Sequence, residues 1–209
     1  MTGWEAQSLM AISTVMEFTI SCDVSPDFKI SLIHFEKKQI MIVRPLTQEE
    51  QIQYQNLLAK IKTLQQAGIC PSCRNLEMGD VYPPNDDKIF YEDELLSCFL
   101  ESFPRNPGYT IILVKPHFED ISELPLDMGA KVYPVIHAAI TSLKKAIPAE
   151  KVYLCTVCDG KRNHLHFQLI PRLAGDKVTG PRLFVKERCM LIDYNEVVRN
   201  LEIQMNGLI

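Results

Sequence analysis

The sequence predicts an α+β fold: an antiparallel β-sheet with helices laid on it, preceded by an N-terminal extension of strands and one helix. Three observations carry this. Short β-prone runs recur between turn residues, at 89–91, 95–100, 110–114, 152–157 and 164–170. One long stretch, 126–146, sets Val132, Val135, Ile136, Ala139, Ile140 and Leu143 at helical spacing. The runs at 152–157 and 164–170 flank a turn signal at Asp159-Gly160, which makes them a hairpin pair.

In chain order, residues 1–15 hold scattered apolar residues and read as a loosely held segment or a lone helix. The runs 17–22, 29–35 and 39–43 read as a small antiparallel meander. Thr47 followed by Glu50 is a capping-box pattern and opens a helix over 48–66, with Ile52, Leu57, Leu58, Ile61 and Leu64 on one side. Gly68 stops it. Residues 1–69 are therefore expected to be an extension, and 70–209 the main unit. In that unit Cys70-Pro71-Ser72-Cys73 leads into a loop rich in Pro, Asn and Asp, then the strands from 89 onward. Pro134 suggests a late start or a kink in the 126–146 helix. A short strand at 183–186 and a closing helix at 196–205, capped by Asp193, complete the chain.

A chain of 209 residues can bury one good core. Its net charge of −4 gives no bulk attraction to nucleic acid or an anionic membrane. No apolar run reaches the roughly 18 residues of a spanning helix. The first residues carry Glu5 and no basic region, so a secretory signal is not expected. Seven cysteines, an odd number in a chain of this length, fit a reducing cytoplasm with some thiols buried and some on metal.

The stretch that carries chemistry is His164-Leu165-His166-Phe167-Gln168. On a strand, alternate residues share a face, so two imidazoles and an amide stand in a row while Leu165, Phe167 and Leu169 turn to the core. Cys70 and Cys73 have the spacing of half a zinc site. His117 ends one strand and His164 begins another, so the four can close a tetrahedral set; a reduced, unliganded pair is the alternative. Cys155 and Cys158 have the same spacing but straddle a strand, which favours two small buried side chains. His137 lies on the long helix as a core or surface residue, and His34 has no polar companions. If His164 binds metal, His166 is left free to attack phosphorus, with Gln168 donating to a phosphoryl oxygen. Lys115, Lys161 and Arg162 would be cations for a phosphate chain.

These residues together resemble the histidine triad (HIT) superfamily of nucleotide hydrolases and transferases. The resemblance rests on the stretch 164–169 followed by Ile170-Pro171-Arg172. It is extended, in order, by Cys70-Pro71-Ser72-Cys73, Tyr91-Glu92-Asp93, Phe99-Leu100-Glu101, Pro107-Gly108-Tyr109-Thr110, Val114-Lys115-Pro116-His117 and Gly175-Asp176. It covers about residues 70–176 and implies a HIT-like antiparallel sheet with packed helices.

Gln168 stands where the third histidine is usual. That resembles the branch typified by galactose-1-phosphate uridylyltransferase and the diadenosine tetraphosphate phosphorylases. By this resemblance His166 carries the nucleotidyl group and Gln168 contacts its phosphate, while Cys70, Cys73, His117 and His164 hold a structural zinc ion. The implied activity is nucleotidyl transfer or phosphorolysis on a nucleotide substrate. The alternatives are a hydrolase of dinucleoside polyphosphates or nucleoside phosphoramidates, and a nucleotide-binding module without turnover. Where the family often has a Gly-Gln-Ser or Gly-Ser phosphate loop, this chain has Gly160-Lys161-Arg162-Asn163. The family's ribose-contacting acid falls at Glu101, where Asp is more usual. Phe90 and Phe99 would flank a base, the alternative being core placement. A homodimer is the implied assembly.

Overall fold

The computed structural model describes residues 31–33, 41–157, 160 and 162–209. The expected helix or loose segment at 1–15, the strand at 17–22, much of the next two strands, His34, Cys158 and Lys161 lie outside them.

The main sheet has five antiparallel strands in the order β3-β4-β5-β7-β6. They are β3 (Ile89–Glu92), β4 (Leu96–Leu100), β5 (Thr110–Val114), β6 (Ala149–Cys155) and β7 (His166–Leu173). Their alternation separates two faces. Leu96, Cys98, Leu100, Ile112, Val114, Phe167 and Leu169 point into the main core and are almost fully buried. Two helices cover that face. Helix α3 (Leu126–Ala146) buries Val132, Val135, Ile136, Ala139 and Leu143, and α4 (Asn195–Asn206) buries Val197, Val198, Leu201 and Met205. Each fully buried aliphatic side chain contributes about 1.5–3 kcal/mol. Pro134 stays inside α3 without ending it. It lies on the exposed side, as does Ala130, so the carbonyl that loses its amide partner can be hydrated.

The opposite face carries Ser97 and Phe99, Ile111 and Leu113, then His166 and Gln168. Cross-strand pairing sets them in rows: Ser97, Leu113 and His166 in one, Phe99, Ile111, Gln168 and Cys155 in the next. Part of this face is covered by a smaller cluster of Tyr109, Ile111, Ile170 and Leu183.

A second sheet joins the two ends of the described chain. Strand β2 (Met41–Pro45) lies between β1 (Ser31–Ile33) and β8 (Cys189–Asp193). Helix α1 (Gln48–Gln66) begins with the expected box: the Glu50 amide donates to Thr47 Oγ1 at 3.3 Å, and the Thr47 amide to Glu50 Oε2 at 2.9 Å. None of its residues is buried; Leu57, Leu58, Ile61 and Leu64 share a side, whereas Ile52, expected with them, lies on the opposite one.

Four expectations need correction. The strand expected at 164–170 spans His166–Leu173 and passes through Pro171, so His164 lies before it and only His166 and Gln168 share the open face. The stretch expected as a strand at 183–186 is largely a 3-10 helix, Gly180–Val185, because Gly180 turns at φ 61° and Pro181 has no N–H for a ladder. Asp193 ends strand β8 rather than capping α4, whose N-cap is Tyr194. The stretch after Cys70 is a helix, α2 (Pro71–Met78), started by Pro at its first turn and closed by Gly79 at φ 65°.

Candidate active site and metal centre

Cys70 is the N-cap of α2, and Cys73 lies one turn in, with its amide 3.4 Å from the Cys70 sulfur. The helix N-terminus favours negative sulfur at both positions. His117 follows β5 and His164 precedes β7. Two backbone hydrogen bonds bring these strand ends together: Val114 N–H to Leu165 O at 3.2 Å and Leu165 N–H to Phe118 O at 2.7 Å. The ligand atoms of Cys70, Cys73, His117 and His164 then lie within 4.8 Å of one another. His164 Nδ1 is 3.4 Å from both sulfurs, and Cys73 Sγ is 3.2 Å from His117 Nδ1.

This donor set fits zinc. Zinc–ligand bond lengths at tetrahedral angles put neighbouring S and N ligands about 3.5 Å apart. His164 donates its Nε2–H to the Val114 carbonyl at 2.6 Å, which fixes the tautomer and leaves the Nδ1 lone pair facing the sulfurs. Burial also lowers the His164 pKa and favours the neutral, ligating form. Burial and the neighbouring Cys70 push the Cys73 thiol up to about 12, a preference that a coordinating cation reverses by displacing the proton.

His166 begins β7 two residues later, on the open face of the sheet. Its Nδ1–H donates to the His164 carbonyl at 2.9 Å, so Nε2 carries the lone pair. The Gln168 amide nitrogen stands 2.9 Å from that Nε2. The amide is held in this sense by Tyr109, whose hydroxyl donates to Gln168 Oε1 at 2.8 Å. Burial pushes the Tyr109 phenol up to about 12, which keeps it a donor. His166 lines a cleft of about 470 Å³, together with Phe99 and Leu113 from the sheet, Glu101 just past β4 and Leu57 from α1. The site is therefore a cleft-lining imidazole with one unprotonated nitrogen and an oriented amide donor beside it.

The other expected substrate contacts divide. Glu101 and Phe99 line the cleft. Phe90 is 4% exposed and belongs to the main core, away from the cleft lining. Lys115 donates to the Asp93 carbonyl at 2.5 Å and pairs with Glu92 at 2.9 Å, which ties it to the β3–β4 turn. Arg162 pairs with Glu119 at 3.2 Å. Asn163 accepts from the Gly160 amide at 2.7 Å and so shapes its own loop. Lys161 is outside the described residues. His137 is exposed on α3 beside Tyr133, the rings 6.5 Å apart. Tyr109 is a site residue that the sequence motif does not mark. Its signal is cross-strand: it precedes Ile111, which pairs with Gln168.

The HIT domain model matches residues 83–175. An uncharacterized HIT-like protein of Methanocaldococcus jannaschii is 33% identical over 93 residues, which cover 43% of this chain and 71% of that protein. The chain belongs to the HIT family. A second uncharacterized HIT-like protein, from Saccharolobus solfataricus, is 25% identical over 92 residues, 42% of this chain and 66% of its own length. Among solved structures, a hypothetical histidine triad nucleotide-binding protein of Sulfolobus tokodaii superposes with a TM-score of 0.50 at 22% identity, covering 66% of this chain and 93% of that one. A uridylyltransferase superposes with a TM-score of 0.51 at 16% identity, covering 75% of this chain and 51% of that one. These two likenesses establish the α+β HIT fold. Among the described residues no helix is long and apolar enough to cross a membrane.

Proposed function

We propose that this HIT protein transfers a nucleotidyl group through a covalent intermediate on His166, as a nucleotidyltransferase or phosphorylase. The observation that carries the reading is the His166 ring, which lines the cleft: Nδ1–H is spent on the His164 carbonyl, and Nε2 keeps its lone pair beside the Gln168 amide. Nε2 attacks the α-phosphorus of a nucleotide, a P–N bond forms, and the P–O bond to the leaving group breaks. Gln168 turns its amide from Nε2 to a phosphoryl oxygen as charge grows there. An acceptor oxygen then attacks phosphorus, the P–N bond breaks, and Nε2 recovers its lone pair. Two displacements replace one harder step.

Gln168 also bears on the leaving group. An amide cannot act as a general acid as an imidazolium can. A phosphate leaving group, whose second pKa is near 6, departs without being protonated. An amine leaving group needs a proton. Phosphoanhydrides therefore suit this site better than phosphoramidates, and phosphate oxygens suit it as acceptors. Cys70, Cys73, His117 and His164 would hold a zinc ion whose contribution is structural, since four protein ligands leave no position for substrate.

The test is intact-mass analysis after incubation with a panel of nucleoside polyphosphates and nucleotide sugars. A nucleotidyl adduct mapped to His166, released faster by phosphate or a sugar phosphate than by water, is expected. An adduct released by water alone assigns the hydrolase reading. Saturable nucleotide binding without any adduct assigns the binding-module reading.

A further inference from the structure

Beyond residue 175, where the HIT domain match ends, the chain folds back over the open face of the sheet. It brings a second charged group to the edge of the site. The segment 186–189 runs along 103–105: the Cys189 amide donates to the Pro104 carbonyl at 2.9 Å, Arg188 Nη1 to the Phe103 carbonyl at 2.7 Å, and Arg105 Nη1 to the Lys186 carbonyl. Each of the two arginines thereby reaches a carbonyl on the other's segment.

Their surroundings are unusual for this protein. Arg44, Arg74, Arg162 and Arg172 each pair with a carboxylate. Arg105 and Arg188 are half-buried and, among the described residues, neither is in an ion pair; their hydrogen bonds go to backbone carbonyls. Arg188 Nε is buried without a partner. Two partly desolvated cations held together cost free energy unless an anion joins them. Burial lowers the Arg105 pKa, with the Arg188 charge adding to it and the Glu101 carboxylate opposing it.

The position connects the pair to the reacting centre. The Arg188 guanidinium lies 5.8 Å from the Tyr109 ring, whose hydroxyl orients Gln168, and 5.5 Å from the Tyr54 ring of α1. Phe103, which accepts from Arg188, lines the His166 cleft. On its other side Arg188 opens onto a groove of about 660 Å³ along α1, where Gln48, Gln51, Gln55 and Asn56 offer side-chain amides.

We infer that Arg105 and Arg188 form an anion subsite that holds the phosphate dianion of the nucleotidyl acceptor. The forked donors suit a phosphate, and the groove beyond, walled by Pro45, Leu46, Ile52 and Tyr54 as well as by the amides, has room for an organic group attached to it. The dianion is either free orthophosphate or the phosphate of a phosphomonoester. Bound there, one of its oxygens attacks the phosphorus carried on His166, and the P–N bond breaks as the new P–O bond forms. The role as acceptor site rests on the nucleotidyl-transfer reading; the anion site itself does not.

The experiment is calorimetric titration of the full-length, zinc-loaded protein with inorganic phosphate, then displacement by a sugar 1-phosphate. Saturable phosphate binding is expected in the wild type and in His166→Ala. Binding about tenfold weaker or more is expected in Arg188→Gln, Arg105→Gln and Arg188→Lys, the last keeping charge but losing the fork. Unchanged zinc content and melting temperature certify each variant as folded. No saturable binding in the wild type, equal binding in all arginine variants, or loss in His166→Ala alone overturns the inference. Tighter binding of the sugar phosphate than of phosphate assigns an organic acceptor, and the reverse assigns orthophosphate. Failure to form any adduct on His166 removes the acceptor role, while the phosphate titration still decides the anion site.

Discussion

His164 and His166 stand two positions apart, and each gives one ring N–H to a backbone carbonyl. They use opposite nitrogens. His164 spends Nε2–H on Val114 and presents Nδ1 to two sulfurs, in a pocket that leaves it 4% exposed. His166, which lines a cleft, spends Nδ1–H on His164 and turns Nε2 to the Gln168 amide. The same side chain turns Nδ1 to two sulfurs in one place and Nε2 to an amide in the other because a carbonyl chooses the tautomer, and the proposed roles of ligand and nucleophile follow from that difference. The two are also joined in one direction, since the carbonyl that orients His166 belongs to His164.

The largest expected effect breaks the pair at His166. His166→Ala should lose adduct formation and turnover by about three orders of magnitude or more, because no other side chain replaces the nucleophile. Zinc content by elemental analysis and melting temperature should match the wild type. Retained turnover would remove His166 from the mechanism.

The second effect breaks it at the other end. Cys70→Ser, or exhaustive chelation, should release zinc and cost several kcal/mol, since the ligands come from a helix start and two strand ends that the ion ties together. Adduct formation should fall with it, because the His164 carbonyl then loses its fixed place. A chelated, folded protein that reacts at the normal rate would show that the two centres are independent.

A smaller effect sharpens the open side. Tyr109→Phe frees the Gln168 amide to turn over, and an inverted amide offers its oxygen to the phosphoryl group. Adduct formation should slow about tenfold, the value of one hydrogen bond. With the Tyr109 phenol at about 12, the ratio of variant to wild type should stay flat from pH 5 to 9. A ratio that changes through this range would give Tyr109 a proton-transfer role.

Much of this arrangement is written locally. Strand alternation places Phe167 and Leu169 inward and His166 and Gln168 outward, and the Cys-Pro-Ser-Cys spacing brings two sulfurs to one helix start. What was not legible depends on partners distant in sequence. Lys115 and Arg162 look like phosphate cations until Glu92 and Glu119 are seen beside them. Phe90 and Phe99 cannot be ranked by parity, because the β3–β4 register shifts between Ile89 and Tyr91. Strand β8 is specified by pairing with β2 rather than by its own pattern. Helix α2 did carry a signal, Pro at its start and Gly at its end, but eight residues gave no hydrophobic period to support it.

The smallest effect lies at the start of α1, the helix that walls the cleft through Leu57, and it serves as a control remote from both histidines. Arg44 holds Glu50 through two hydrogen bonds of 2.5 and 2.6 Å, and Thr47 caps the helix beside it. The Arg44 bonds lead the causes that lower the Glu50 carboxyl from 4.5 to about 2. A carboxyl whose folded value is depressed stabilises the fold above its unfolded value and loses that contribution as pH falls through the folded one. Glu50→Gln should therefore cost about 1–2 kcal/mol at pH 7. The difference from wild type in denaturant titrations should shrink between pH 4.5 and about 2. Zinc content and His166 labelling should be unchanged at pH 7. A labelling rate that falls with this remote cap would mean that the start of α1 sets the geometry of the cleft, and the contrast between the two histidines would then extend to a third element.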